Sequence, residues 1–416
     1  MDLLIHKRDQ EISGVIPISG AKNSAVAIIP AALLSSEKVI LENIPHISDV
    51  ETIVSIIDEL GHFITFENNK VTIIRNNKKI TRLSNKVRCL RGSYYFISVY
   101  LSLFNEVYIP QIGGCKLGDR PINYHFDALK ELGVDIYTDT NNYTSYKCKK
   151  IKSKTITLPY QSVGTTINII LISVLSNETV IINNASIEPE VMDVCNFLNY
   201  LNANISVSDR TITIKGVSKL SGGTYKIISD RIEAGTYLAL IALPKVSKIT
   251  LTNINYNLLI SYLNILQEIG FIIDVHDSNI TIRKSNLLKP ITIYTNPYPG
   301  FPTDLAPIIT VILTQINGTS KLIETVFRER FSHVKELNKL GANISINNNT
   351  IIINGKTNFI TGTVTAHDLR CAAALLLSGI ASLGNVLIKD IDHLFRGYED
   401  PIKKLQAIGV TCRIIN

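Results

Sequence analysis

An internal repeat of about 70 residues runs through the whole sequence. Six times, a helical segment ends in an apolar residue and a small turn residue, and a run of strand-forming residues follows. The six turn residues are Gly61, Gly133, Asn202, Gly270, Gly341 and Gly409. They are 72, 69, 68, 71 and 68 positions apart, a period longer than that of the common solenoid repeats. Because Gly and Asn tolerate positive φ, we expect each of them to end its helix in the left-handed conformation.

A second series of helical segments alternates with the first. Its members begin with polar residues and are then apolar on nearly all sides, as in 25–34, 167–175 and 371–377. The polar residues at the six starts are Lys22 with Asn23, Arg91, Ser162, Asp230 with Arg231 and Glu233, Asp304, and Asp368 with Arg370. A helix that is apolar all round is buried, so we expect this series inside the fold. The other series, such as 123–132, is amphipathic.

Six repeats divide naturally into two sets of three, with a boundary near Ser229 and Asp230. The length of 416 residues agrees with this division, because one hydrophobic core rarely serves so long a chain. We therefore predict an α/β fold with two similar domains, each made of three repeats whose buried helices are wrapped by sheet.

Composition disfavours several classes of function. The net charge of +7 is spread along the chain, which suits an anionic small-molecule substrate better than nucleic acid. No apolar run reaches the ~18 residues of a membrane helix, and the start lacks the apolar region of a signal peptide. We expect a cytoplasmic protein that neither binds nucleic acid nor inserts into a membrane.

The cysteines predict neither a metal site nor a disulfide framework. They lie far apart, without a Cys-x-x-Cys pair, and are Cys89, Cys115, Cys148, Cys195, Cys371 and Cys412. This spacing is typical of a protein in a reducing compartment. Cys89, Cys195 and Cys371 lie in or beside apolar segments, so we expect them to react slowly.

Segment 111–125 is the part of the chain that an apolar core does not explain. Three of its residues are glycines, which make the backbone permissive, and a proline stiffens its exit. Cys115 lies close in sequence to Lys116, Arg120 and His125, cations that favour a thiolate. The segment is interpreted as an active-site loop, and the alternative is an exposed loop with an incidental cysteine.

Polar residues at the starts of buried helices predict an anion-binding site. Helix N-termini carry free N–H groups and a partial positive charge. Lys22 stands at such a start, where an uncompensated ammonium group would be unfavourable, and a bound anion would remove that cost. We expect a doubly anionic substrate in the cleft between the domains.

Structural roles remain open for several of these residues. A helix cap, worth roughly 1 kcal/mol, is the alternative for Asp230, Asp304 and Asp368. A surface ion pair is the alternative for Arg91, Arg330 and Arg396. His125 could be a helix-face residue without a role.

Motifs along the whole chain resemble the UDP-N-acetylglucosamine 1-carboxyvinyltransferase family of enolpyruvyl transferases. They are Gly-Ala-Lys-Asn at 20–23, Asp-Val at 49–50, Gly-Gly-Cys at 113–115, Leu-Gly-x-Arg-Pro at 117–121, Ser-Val-Gly-Thr-Thr at 162–166, Glu-Pro-Glu at 188–190, Asp-Arg-Ile-Glu-Ala-Gly-Thr at 230–236, Phe-Pro-Thr-Asp at 301–304, Glu-Thr-Val-Phe-Arg-Glu-Arg-Phe at 324–331, His-Asp-Leu-Arg at 367–370 and Arg-Gly-Tyr-Glu at 396–399. The resemblance implies two inside-out α/β barrels with the active site in the interdomain cleft. It also implies that the first strand joins the C-terminal domain, which gives domains 1–21 with 230–416, and 22–229, the latter with the Cys115 loop.

The resemblance implies transfer of the enolpyruvyl group of phosphoenolpyruvate to the 3-hydroxyl of UDP-N-acetylglucosamine, the first committed step of peptidoglycan synthesis. Phosphate is released by addition and elimination through a tetrahedral intermediate. It implies no metal, no organic cofactor and no obligate protein partner. The family is the target of the epoxide fosfomycin.

The resemblance also implies roles for single residues. Lys22, Arg120 and Arg396 would hold the phosphate and carboxylate, Asp304 would be the base toward the hydroxyl, and Cys115 would protonate the methylene carbon. The substrate-binding residues that it implies are Lys22, Asn23, Arg91, Arg120, Pro121, Ile122, Asn123, Tyr124, Ser162, Val163, Gly164, Asp304, Val326 and Arg330.

Several positions depart from the family pattern, including the segment Gly-Ser-Tyr-Tyr that follows Arg91. Asn123 stands where Asp is usual, and Ala306 and Ile308 stand where Gln is usual. A related transferase with another nucleotide acceptor would explain such changes. Two more functions stay open: the transferase that acts on shikimate 3-phosphate, and a non-catalytic binding module, whose affinity for nucleic acid would fall steeply with salt.

Overall fold

The computed structural model describes residues 1–7, 10–110, 123–139, 143–327 and 330–415, and only the backbone of Arg91. The chain forms two compact units. The N-terminal unit is Gly20–Ile228, and the C-terminal unit is Met1–Ser19 together with Ser229–Asn416. Among the described residues, no helix is both long enough and apolar enough to cross a membrane.

Both units contain helices interspersed with short strands. The helices are α1 (Lys22–Ala31), α2 (Ser48–Glu59), α3 (Tyr95–Phe104), α4 (Asn123–Glu131), α5 (Val163–Ser173), α6 (Pro189–Tyr200), α7 (Arg231–Leu238), α8 (Ile260–Ile269), α9 (Ala306–Thr314), α10 (Ser332–Lys339), α11 (Leu369–Ala381), α12 (Asp392–Phe395) and α13 (Pro401–Ala407). Short 3-10 turns are Ala32–Leu34, Asn85–Cys89, Arg91–Tyr94, Ala239–Ala242, Tyr256–Leu259 and Thr303–Leu305. The strands are β1 (Asp2–Ile5), β2 (Ile12–Pro17), β3 (Val39–Glu42), β4 (Phe63–Glu67), β5 (Lys70–Ile74), β6 (Glu106–Pro110), β7 (Asp135–Thr138), β8 (Tyr143–Lys147), β9 (Lys154–Thr157), β10 (Thr179–Asn183), β11 (Asn204–Ser208), β12 (Thr211–Lys215), β13 (Gly223–Lys226), β14 (Val246–Thr252), β15 (Ile272–His276), β16 (Asn279–Arg283), β17 (Thr292–Tyr294), β18 (Gly318–Ile323), β19 (Ile344–Asn347), β20 (Thr350–Gly355), β21 (Gly362–Thr365), β22 (Val386–Lys389) and β23 (Cys412–Ile415).

Each unit contains three small sheets within its described residues, one for each repeat. The strand orders are β13-β3-β5-β4, β6-β8-β7 and β11-β12-β10-β9 in the N-terminal unit, and β15-β16-β14-β2, β17-β18-β20-β19 and β21-β22-β1-β23 in the C-terminal unit. In every sheet, the strand that follows a buried helix has an antiparallel neighbour on one side. In five sheets it has a parallel neighbour on the other side, and beside β6 a bridge between Arg82 and Tyr108 takes that place. The predicted α/β repeat is confirmed.

The start of the chain supplies two strands to the C-terminal unit. Strand β1 is antiparallel to β22, with Leu3 opposite Ile388, and to β23, with Leu4 opposite Arg413. Strand β2 runs parallel to β14. The last repeat is therefore completed by the first residues of the chain.

All six predicted helix ends are left-handed. The φ angles are 76° at Gly61, 97° at Gly133, 70° at Asn202, 117° at Gly270, 96° at Gly341 and 94° at Gly409. The prediction of a left-handed helix end in every repeat is confirmed.

The apolar helices lie inside their units, as predicted. Every side chain from Ser24 to Ala31 of α1 and from Arg370 to Ala381 of α11 is buried. In the N-terminal unit α3 contacts both α1 and α5, and in the C-terminal unit α9 contacts α11. Each unit has its own hydrophobic core.

Candidate active site

Asp304 lies between two arginines in the C-terminal unit. Its side chain, in the turn before α9, is 23% exposed. Arg330 Nη1 donates to Oδ1 at 2.5 Å, and Arg370 Nη2 donates to Oδ2 at 2.7 Å. Burial alone would raise the pKa of the Asp304 carboxyl, but the two guanidinium groups outweigh it and hold that pKa well below its usual range. The carboxylate is ionised at neutral pH and can accept a proton.

The cluster of Asp304, Arg330 and Arg370 carries an excess of positive charge. One carboxylate between two guanidinium groups leaves one positive charge, and the side chains of Arg330 and Arg370 are only 7% and 9% exposed. The interpretation of Arg330 as a surface ion pair is therefore wrong, because the Arg330 side chain is buried. Guanidinium groups in such a setting bind carboxylate and phosphate groups well.

Capping accounts for two of the three candidate aspartates. Asp230 Oδ1 accepts from the N–H groups of Ile232 and Glu233 at 2.8 and 2.9 Å. Asp368 Oδ1 accepts from two N–H groups at the start of α11 at 2.8 and 3.0 Å. The capping interpretation is confirmed for both, whereas it is wrong for Asp304, which caps neither its turn nor α9.

Arg396 directly follows α12 and is partly buried. A Cβ on the next residue, Gly397, would lie 2.6 Å from Leu369 Cδ2, so the backbone at this position packs closely against Leu369. The hydroxyl of Tyr398 lies 2.7 Å from Thr236 Oγ1 on α7. The segment that carries Arg396 is thus held against both α11 and α7.

Lys22 begins α1 in the N-terminal unit and is paired with a carboxylate. Its Nζ lies 2.9 Å from Asp49 Oδ2, and the two side chains are 16% and 6% exposed. The premise that the ammonium group lacks compensation is therefore wrong, because Asp49 supplies it. Lys22 and the adjacent Asn23 are both partly exposed at the helix start, where backbone N–H groups lack intrahelical acceptors.

Ser162 caps α5, whose first residues are the Val163 and Gly164 of the predicted site. Its Oγ accepts from the N–H of Thr165 at 3.3 Å. All three predicted residues are partly exposed. The predicted anion site at this helix N-terminus therefore remains a prediction.

His125 is buried beside the start of α5 rather than displayed on an outer helix face. A Cβ on Gly164 would lie 2.7 Å from its ring. Asn168 Nδ2 donates to His125 Nδ1 at 2.9 Å, so the proton of the neutral ring lies on Nε2. The ring also stacks on Tyr94, with centroids 5.6 Å apart.

Four predicted residues of the loop, Cys115, Arg120, Pro121 and Ile122, lie outside the described residues, as does the side chain of Arg91. The two that follow, Asn123 and Tyr124, open α4, with Asn123 exposed. Two other departures from the family pattern, Ala306 and Ile308, are buried in α9, so they belong to the core.

The three cysteines that lie in or beside apolar segments of the sequence are not all buried. Cys195 and Cys371 are buried, and burial raises the pKa of each thiol to about 12. Cys89 is exposed, so the expectation that it is shielded by an apolar segment is wrong. It ends a short 3-10 turn on the surface instead of entering a helix.

The sequence assigned no individual role to Asp49, Arg370 or Glu324. Asp49 pairs with Lys22, Arg370 pairs with Asp304, and Glu324 binds Thr303, the neighbour of Asp304. Each lies at the edge of an apolar segment, and a charged residue in that position is the sequence feature that could have identified it. Among the described residues, no group of three His, Cys, Asp or Glu side chains could hold a metal ion.

Comparison with known proteins identifies relatives along the full chain. A sequence model of the family described as EPSP synthase (3-phosphoshikimate 1-carboxyvinyltransferase) matches residues 6–405. The UDP-N-acetylglucosamine 1-carboxyvinyltransferase of Halothermothrix orenii is 40% identical over 416 residues, which cover 99% of each chain. The UDP-N-acetylglucosamine 1-carboxyvinyltransferase 2 of Staphylococcus aureus is 40% identical over 96% of this chain and 95% of that one. The solved structure of the enolpyruvyl transferase NikO from Streptomyces tendae shares the fold, with a TM-score of 0.91, 22% identity, and coverage of 99% of this chain and 98% of that one.

Proposed function

This chain belongs to the EPSP synthase family of enolpyruvyl transferases, and from that membership we propose that it transfers the enolpyruvyl group of phosphoenolpyruvate to the 3-hydroxyl of UDP-N-acetylglucosamine. The observation that carries the proposal is an identity of 38–40% over essentially the whole length of relatives that bear this activity in their names. The reaction releases phosphate and commits the sugar to peptidoglycan synthesis. Both substrates are cytoplasmic metabolites, and we propose the same location for the enzyme.

The reaction consists of an addition and an elimination. In the addition, the sugar oxygen bonds to C2 of phosphoenolpyruvate, the hydroxyl proton passes to a base, and another proton is added to C3. In the elimination, a proton leaves C3, the bond from C2 to the phosphate oxygen breaks, and the double bond is restored. Phosphoenolpyruvate and acceptor are thus converted to enolpyruvyl ether and phosphate.

Asp304 is the base of this proposal. Its carboxylate is ionised at neutral pH because Arg330 and Arg370 face it. Its low pKa makes it a weak base in the unliganded arrangement, and any bound anion that draws an arginine away would increase its basicity. Proton transfer is needed only as the new C–O bond forms.

Cationic and polar side chains bind the phosphate and carboxylate groups in this proposal. Lys22 and Asn23 contribute from the start of α1, and Arg396 contributes from the segment after α12. The family resemblance adds Arg120 to these groups. It also gives Cys115 as the acid that protonates C3 of phosphoenolpyruvate. Such groups stabilise the charge that moves during addition and elimination.

A phosphate-release assay tests the proposal. Purified protein with phosphoenolpyruvate and UDP-N-acetylglucosamine should release one phosphate for each enolpyruvyl sugar formed. Shikimate 3-phosphate in place of the nucleotide sugar should give no turnover. Absence of phosphate release from a folded sample with UDP-N-acetylglucosamine would contradict the proposal.

Asn123 gives a reason to vary the acceptor in the same assay. It is exposed at the start of α4, and its amide can both donate and accept where the usual carboxylate only accepts. A preference for another nucleotide over UDP-N-acetylglucosamine, reversed by Asn123→Asp, would identify a transferase with a different acceptor.

A further inference from the structure

The carboxylate of Glu324 is buried and saturated with hydrogen bonds. Glu324 follows β18, and the residue is 1% exposed. Oε1 accepts from Thr295 Oγ1 at 2.7 Å and from the N–H groups of Val326 and Phe327 at 2.8 and 2.9 Å. Oε2 accepts from Thr303 Oγ1 at 2.8 Å. A buried charge is tolerated when hydrogen bonds replace its hydration, and these four neutral donors do so.

Thr303 links Glu324 to the carboxylate of Asp304. The Thr303 hydroxyl donates its single proton to Glu324, so its oxygen can accept from Arg330 Nη1 at 3.1 Å. The same Nη1 donates to Asp304 Oδ1 at 2.5 Å. The direction of the Thr303 hydroxyl therefore helps to fix Arg330, and Arg330 fixes the carboxylate of Asp304.

Glu324 also shapes the chain that leads to Arg330. Its bonds to the N–H groups of Val326 and Phe327 close a turn, and Phe327 O accepts from the N–H of Arg330 at 3.0 Å. The guanidinium of Arg330 lies 5.0 Å from the centre of the Phe327 ring. One carboxylate thus restrains Arg330 through its guanidinium and through its backbone.

We propose that Glu324 is a positioning residue for the reaction, whose carboxylate orients the Thr303 hydroxyl and the turn that follows so that Arg330 holds Asp304 in place to take the acceptor proton. Glu324 acts through its neighbours rather than as a reacting group. The inference rests on the proposed function, in which Asp304 is the base.

Glu324→Gln tests the role of the carboxylate with little change of shape. If the amide nitrogen faces the N–H groups of Val326 and Phe327, these hydrogen-bond donors face another donor and lose their acceptor. If it faces Thr303, the hydroxyl oxygen has to accept from it in competition with Arg330. We expect kcat at saturating substrates to fall about 10- to 100-fold, as for a small displacement of a catalytic group, with KM for phosphoenolpyruvate little changed.

Two threonine variants form a matched pair. Thr295→Val and Thr303→Val each remove one hydroxyl donor to Glu324, but only Thr303 also accepts from Arg330. Thr303→Val should lower kcat as Glu324→Gln does, and Thr303→Ser, which keeps the hydroxyl, should restore it. Thr295→Val should lower the melting temperature with kcat close to that of the wild type. Comparison of Thr295→Val with Thr303→Val tests the positioning role of Glu324 even if Glu324→Gln does not fold.

The pH dependence of kcat separates positioning from general damage. Arg330 and Arg370 face Asp304 and hold its pKa well below the usual range. Loosening Arg330 raises that pKa, and because the base works in its ionised form, activity is then lost at a higher pH on the acid side. The pH below which kcat falls should therefore be higher in Glu324→Gln and Thr303→Val than in the wild type. It should be unchanged in Thr295→Val.

Two outcomes overturn the proposal. One is an equal fall of kcat in Thr295→Val and Thr303→Val. The other is a loss of thermal stability in Glu324→Gln and Thr303→Val with the kcat and pH profile of the wild type. Failure of the proposed function looks different, because the wild-type protein itself would then release no phosphate.

Discussion

At the scale of single residues, Asp304 and Lys22 each lie beside opposite charges on which their stability in the fold depends. Asp304 lies between Arg330 and Arg370, and Lys22 lies beside Asp49. Removing one partner leaves a charge in a low-dielectric site, which costs about 3–5 kcal/mol in measured cases. A substitution at such a position therefore affects stability as well as chemistry, and both have to be measured.

Asp304→Asn should lower kcat far more than it weakens the binding of phosphoenolpyruvate. The base is needed only when the hydroxyl attacks, whereas the arginines that attract the anion remain. Steady-state kinetics with varied phosphoenolpyruvate, compared with thermal unfolding of the same sample, measure the two effects. An equal loss of phosphoenolpyruvate affinity and kcat would make Asp304 a binding residue.

Glu233 should make the C-terminal unit less stable as pH rises toward neutrality. The Glu233 carboxylate is buried, and its Oε1 lies 2.6 Å from Lys404 Nζ. Burial outweighs the effect of that cation and raises the pKa of Glu233 to about 7. Between the ordinary pKa of about 4.5 and about 7, the folded state binds more protons than the unfolded state, so the free energy of unfolding falls with increasing pH. Denaturant unfolding should show this fall in the wild type and a smaller one in Glu233→Gln. The same slope in both proteins would assign the effect to other groups.

Cys115 should react with fosfomycin faster than the other cysteines. Its neighbours Lys116 and Arg120 favour a thiolate, whereas burial raises the pKa of Cys195 to about 12. Exposed Cys89 is the internal control, since access alone would label it too. Peptide mass spectrometry after brief labelling should show Cys115 modified first, and faster with UDP-N-acetylglucosamine present. Equal labelling of Cys89, or no effect of the nucleotide sugar, would remove Cys115 from the mechanism.

The important charged residues could be predicted from the sequence better than their ion-pair partners could. Lys22 and Asp304 stand out because polar residues open helices that are otherwise apolar. Their partners depend on tertiary packing: Arg370 is 66 residues from Asp304 along the chain. The charge state of Asp304 follows from that packing, so no local pattern could predict it.

At the scale of helices and strands, local chemistry predicts where elements end but not which strands pair. The left-handed helix ends follow from Gly or Asn at a fixed place in each repeat. The pairing of β1 with β22 and β23 joins opposite ends of the chain, and hydrophobic periodicity carries no information about it. The resemblance implied that the first strand joins the C-terminal domain, and the periodicity alone did not.

Two helix-end glycines should differ in their tolerance of alanine. Gly409 has φ of 94° with nothing within 4 Å of an added Cβ, so Gly409→Ala meets only backbone strain of about 1–2 kcal/mol. Gly270 has φ of 117°, and a Cβ there would lie 2.4 Å from Leu287 O. Gly270→Ala should therefore destabilise the protein by clearly more, as measured by denaturant unfolding. Equal losses would show that the loop at Leu287 moves aside freely.

At the scale of the whole molecule, the same unit of structure is used six times with different polar residues at its helix starts. The apolar positions repeat because each repeat has to bury a helix against a sheet. The residues at those starts differ from one repeat to the next: Lys22 opens α1, Ser162 caps α5 and Asp304 precedes α9. Fold and site are thus specified by different parts of each repeat, which is why the periodicity could predict the fold while roles came only from individual residues.

Deleting residues 2–5 should destabilise the C-terminal unit and leave the N-terminal unit protected. The deletion removes β1 from between β22 and β23, and with it the buried side chains of Leu3 and Ile5. Hydrogen exchange should show lost protection at β22 and β23 and retained protection at β10 of the N-terminal unit. Leu3→Ala should produce the same pattern at a cost of about 2–5 kcal/mol, and Leu4→Ala, on the less buried face of β1, should produce less. A uniform loss of protection in both units would show that they unfold together, and unchanged protection at β22 would show that β1 contributes little to the sheet it completes.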